Sequence, residues 1–195
     1  MKKTISFFLF SLSLMIISCH SKKKGISRQE KFFPVLSFIK SQVAHIDTSL
    51  YSLKKITFID STRTDTTYYH REHIRELAGD FLNIPDISGD GFSDRFKEDK
   101  QFDETLNKVI ITYTPVKPAK EEIQRQEILI TPDPTGDKVT TIIIDHFINT
   151  RDSLVQKRLL WQVDKSFQVV TTRQLPGQPE INSTFKVIWN EDETY

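Results

Sequence analysis

The stretch Asp86-Ile-Ser-Gly-Asp-Gly-Phe-Ser-Asp94 sets oxygen-bearing side chains around a glycine turn. Asp86, Ser88 and Asp90 fill positions 1, 3 and 5 of a calcium loop, and Gly91 its turn. Phe92 would offer its carbonyl, and Asp94 would stand at position 9. Such a loop supplies the converging hard oxygens that Ca2+ requires. The pattern breaks at its last ligand position, where Lys97 replaces a glutamate and Glu98 comes one residue late. The same residue types also make ordinary polar turns. His70 and His73 stand at a spacing that shares a metal ion on a helix, but they continue an apolar stripe with Ile74 and Leu77, and no third ligand accompanies them. Asp145 and His146 are adjacent in a segment of period two, so they point to opposite faces and cannot act as a pair. No nucleophile elbow and no phosphate-cradling glycine loop occurs. Catalysis therefore has no positive support, and no cofactor beyond the Ca2+ candidate is implied.

The single cysteine, Cys19, has a different chemistry. Before it lie Lys2 and Lys3, an apolar run over residues 5–17, and the small Ser18. This is the layout of an export signal, with an apolar run of about 13 residues where a spanning helix needs roughly 20. Ile16-Ile17-Ser18-Cys19 resembles the lipobox of bacterial lipoproteins. The resemblance implies a diacylglycerol on the thiol, cleavage before Cys19, and an acyl chain such as palmitate on the new amine. It covers about 25 residues. It implies a signal peptide over residues 1–18, an acylated tether over 19–32, and one domain over 33–195. His20 stands where aspartate would mark inner-membrane retention, and Lys22, Lys23 and Lys24 are basic. Both features point to the outer membrane, facing the periplasm.

Bulk composition narrows the partners. The chain has 27 basic and 26 acidic side chains. Loss of Lys2 and Lys3 with the signal leaves 25 against 26, a net charge of about −1. That balance gives no electrostatic footprint for nucleic acid. One cysteine permits no internal disulfide.

The elements that must position these residues follow from periodicity. Val35, Leu36, Ile39, Val43 and Ile46 form the stripe of a first helix, with Pro34 in its first turn. Ile74, Leu77, Ala78, Phe81 and Leu82 form the stripe of a second helix over residues 69–82. Residues 49–60 alternate as a strand, and six more strands are expected at 107–114, 123–131, 138–148, 154–163, 167–174 and 181–189. Residues 61–67 and 84–104 read as connections. The last three strands have one apolar face, as in Val155, Leu159 and Trp161 against Gln156, Arg158 and Gln162. The expected fold is α+β: two N-terminal helices packed on one face of a five- to seven-stranded antiparallel meander sheet.

Three functions fit this reading. One is a membrane-anchored, non-catalytic binding or envelope-assembly module with an envelope protein as partner. Another is a lipid or lipoprotein carrier with an apolar cavity between sheet and helices. The last is a calcium-binding or metal-dependent protein using Asp86, Ser88, Asp90 and Asp94.

Overall fold

The computed structural model describes residues 32–190; Cys19 and the expected signal lie outside them. Helix α1 spans Val35–Thr48 and buries Val35, Ile39, Val43 and Ile46, the three- and four-residue spacing of one stripe. Pro34 precedes it, where a missing N–H leaves no helical carbonyl unpaired. Ser49 closes it by donating both its N–H and its hydroxyl to the Ile46 carbonyl, at 3.1 and 2.7 Å.

Nine strands follow: β1 (Ser52–Phe58), β2 (Thr64–His70), β3 (Phe96–Asp103), β4 (Lys108–Pro115), β5 (Ile123–Thr131), β6 (Lys138–Asn149), β7 (Leu154–Gln162), β8 (Ser166–Gln174) and β9 (Ile181–Ile188). They form one sheet in the order β2-β1-β9-β8-β7-β6-β5-β4-β3. Every neighbouring pair is antiparallel. β3 to β9 is a meander, and the β1–β2 hairpin joins it at β9. Helix α1 runs from the β4 side, where the Tyr113 hydroxyl accepts the Phe33 N–H at 3.0 Å, towards β1. Residues 71–95 lead back from edge strand β2 to edge strand β3. They hold only a 3₁₀ turn (Arg71–His73) and the single-turn helices α2 (Ile74–Leu77) and α3 (Gly79–Leu82).

This architecture corrects the expectation of two helices on five to seven strands. The fold is mostly β, a nine-stranded sheet with small helices. The expected second helix begins as strand β2 through His70 and then breaks into short turns. The expected connection 84–104 contains β3. The reason is physical. β2 and β3 are the two edges, beyond the cover of the helical layer. Of β2 only Tyr69 is even half-buried, and of β3 only Phe96 is buried. A strand wet on both faces has no alternation to read.

The helical face of the sheet carries the core. Leu53, Val187, Val169, Phe167, Leu159, Trp161, Ile142, Ile144, Ile128 and Tyr113 alternate onto it from successive strands. Trp161 and Phe167 are cross-strand partners with stacked rings, centroids 5.3 Å apart. Phe81 of α3 meets both edge-on, at 5.2 and 5.3 Å. Polar ties hold the return segment: Arg75 Nε to Asp47 Oδ2 at 2.9 Å, and Lys157 Nζ to Asp80 Oδ1 at 2.5 Å.

Phe81 thus joins the helical layer to the sheet. Phe81→Ala is expected to cost about 3–5 kcal/mol, through lost transfer energy and a cavity. Leu50→Ala, at a side chain 97% exposed, is expected within about 0.5 kcal/mol of wild type. Urea unfolding of the two variants checks the contrast. Equal small losses would show that the layers are held elsewhere.

Candidate functional site

The β5–β6 ladder is irregular at both ends. Ile123 pairs with His146 and Arg125 with Asp145, so Gln124 is an extra residue on β5. Leu129 pairs with Thr141 and Ile130 with Val139, so Thr140 is an extra residue on β6. Such bulges bend a strand and re-aim a side chain. Each bulge borders a cleft of about 560 Å³.

The first cleft is a groove on the sheet face away from the helices. Asp145 and Phe147 of β6, Gln156 and Arg158 of β7, and Val170 and Thr172 of β8 line it. Pro118 and Ala119, from the β4–β5 connection, form its wall. Gln124 builds that wall: its bulged amide donates to the carbonyls of Pro118, at 3.0 Å, and Glu121, at 2.5 Å. Glu121 is held in turn by Arg95, at 2.8 and 2.5 Å, and this contact raises the Arg95 pKa. The Phe147 N–H donates to the Glu122 carbonyl at 2.7 Å. Arg125 pairs with Glu127 beside the groove. Arg158 Nε stands 3.9 Å from Asp145 Oδ1, too far for a hydrogen bond, and the Arg158 side chain is 62% exposed. The groove therefore offers an apolar floor, a polar rim, and an acid and a base that a ligand can separate.

The predicted metal ligands fall elsewhere. Asp86 Oδ1 accepts the Ser88 N–H at 3.0 Å and the Ser88 hydroxyl at 2.6 Å. This local turn sets the chain between buried Ile84 and Ile87. Gly91 has φ +93°, the left-handed turn expected of it. Among the described residues, no three of His, Cys, Asp and Glu are grouped to hold a metal ion, so Asp86, Asp90 and Asp94 are not brought together as a ligand set. His70 ends a strand, and His73 Nδ1 lies 3.5 Å from Glu76. Asp145 and His146 do point to opposite faces: His146 is buried on the helical face, 3.2 Å from Glu122.

No family model, curated protein or solved structure matches the chain. The site rests on its own geometry.

That geometry distinguishes two uses of the Asp86 loop. Asp86→Ala removes two hydrogen bonds to a charged acceptor and is expected to cost about 1–3 kcal/mol, whereas Asp86→Asn keeps an acceptor and loses less. Millimolar calcium is expected to leave the melting temperature of the wild type unchanged. A calcium-dependent rise, absent in Asp86→Ala, would instead make the loop a metal site.

Proposed function

We propose that the chain is a lipid-anchored binding module of the bacterial envelope, held by Cys19 at the outer membrane and facing the periplasm. Its partner is an extended peptide segment of another envelope protein, seated in the groove over β6, β7 and β8. The observation that carries the binding role is the groove itself, with apolar Phe147 and Val170 beside the long Asp145–Arg158 ion pair at 3.9 Å. An extended peptide matches it because its apolar side chains fit the floor, while its amides meet Gln124, Gln156 and Thr172. Sites of this kind combine apolar lining with a few convergent polar groups. The lipobox-like stretch supports the location, since two or three acyl chains anchor firmly where one binds marginally.

The carrier function needs an apolar cavity between sheet and helices. Phe81, Trp161 and Phe167 fill that space where α3 crosses β7 and β8. The groove on the opposite face supports the binding role instead.

A photo-crosslinking amino acid at position 147, in cells, tests the assignment. One defined partner is expected there and none at position 50. Arg158→Glu is expected to reduce the crosslink at least tenfold, with unfolding by urea unchanged. Equal crosslinking at positions 147 and 50 would remove the groove as the docking site.

A further inference from the structure

The second cleft opens at the other end of the β5–β6 ladder. We infer that it binds a phosphate group, as carried by an anionic lipid headgroup or free in solution, through Lys108 with Lys138 and Lys165 beside it. Its construction begins with the bulge. Thr140, released from the ladder register, donates its hydroxyl to the Leu129 carbonyl at 3.1 Å and accepts from Lys108 Nζ at 2.9 Å. Thr131 Oγ1 accepts a second bond from Lys108 at 2.8 Å. Lys108 is half-buried, and both of these partners are hydroxyls, not carboxylates. An ammonium has three donors, so one remains for a ligand. A partly buried cation with neutral partners favours an incoming anion.

The neighbouring charges agree. Lys138 and Lys165 line the cleft against one acid, Asp164. Lys138 is paired with Asp133 at 2.9 Å, and Lys165 has an interaction of its own. Asp103 faces Lys108 across the β3–β4 ladder, but its Oδ1 accepts the Leu106 N–H at 2.9 Å. Asp133 stays ionised through the working range. The Thr135 hydroxyl, the Lys138 ammonium and the Thr135 N–H draw its pKa from about 3.8 to about 2. Its contribution to stability is therefore present above pH 4 and lost as pH falls towards 2. The Lys138 pair persists at neutral pH, and Lys108 is the principal anchor.

The position of the cleft suggests where the phosphate comes from. Phe38 of α1 lines it, and the Phe38 ring lies 5.7 Å from that of Phe33, whose N–H is fixed on Tyr113. The described residues thus begin, at Phe32, near the cleft. Fully extended, residues 19–32 span at most about 50 Å. The membrane as source rests on the lipid-anchor proposal; recognition of phosphate does not, and a free-phosphate arm keeps the two separate.

The test uses the purified full chain in neutral detergent. It is titrated with inorganic phosphate, with short-chain phosphatidylglycerol and with short-chain phosphatidylcholine. Phosphatidylglycerol is expected to bind at least tenfold more tightly than phosphatidylcholine, and Lys108→Met to lose at least tenfold. Lys120→Met, at an exposed site outside the cleft, is expected to bind as wild type. Binding of phosphatidylglycerol alone assigns the headgroup. Binding of inorganic phosphate alone keeps the phosphate site and removes the membrane as its source. Lys108→Met alters a half-buried position, so the wild-type Lys108 Nζ resonance is followed as well and is expected to shift saturably. No binding by any probe, equal binding by Lys108→Met, or phosphatidylcholine as tight as phosphatidylglycerol would overturn the inference.

Discussion

Everything in this fold depends on covering one face of a nine-stranded sheet with very little helix. An antiparallel sheet can leave one face to water only if the other is sealed. Here α1 and the return segment 71–95 do the sealing. Phe81 is the contact on which the seal turns, because it meets the stacked Trp161–Phe167 pair that bridges β7 and β8. Aromatic rings bury large areas and add orientation-dependent attraction. Burial also pushes the Tyr113 hydroxyl pKa up, so it stays neutral and serves as the acceptor that fixes Phe33. The two ends of the helical layer are thus tied to β4 and to β7–β8.

Sealing one face determines where chemistry can occur. The middle of the helical face is filled by Phe81, Trp161 and Phe167, and the two clefts lie on the open face and at the strand ends beside α1. The two bulges of β5–β6 sharpen this. Gln124 leaves the ladder and pins the β4–β5 connection as a wall. Thr140 leaves the ladder and holds Lys108. Both devices convert a one-residue register fault into a shaped cleft, one on each side of the same strand pair.

Much of this was legible in the sequence. The apolar stripe of α1 could be read from its spacing, and strands such as β6 and β7 from the alternation of one wet and one dry face. Trp161 and Phe167 could be assigned to the core for the same reason. The edge strands could not. Thr64–His70 and Phe96–Asp103 have almost no buried side chain, so nothing in their order reports a sheet. The clefts were also missed, because bulges depend on pairing between distant residues. The bulge shows only in the structure, where Ile123 and Gln126 are both buried though three apart, which strict alternation forbids. The Asp-Gly-Ser run at 86–94 draws attention for its oxygens, and in the structure Asp86 Oδ1 accepts the Ser88 N–H and hydroxyl, a local turn that the same residue types also encode.

We propose that this domain works from a lipid anchor, with one binding groove on the open face of the sheet and a second cleft at the strand ends beside α1. Mass spectrometry of the mature amino terminus, taken from membranes of the native host, tests it most directly. The expected result is a terminus at Cys19 carrying a thioether-linked diacylglycerol. An unmodified Cys19 thiol, or a start site elsewhere, would contradict it.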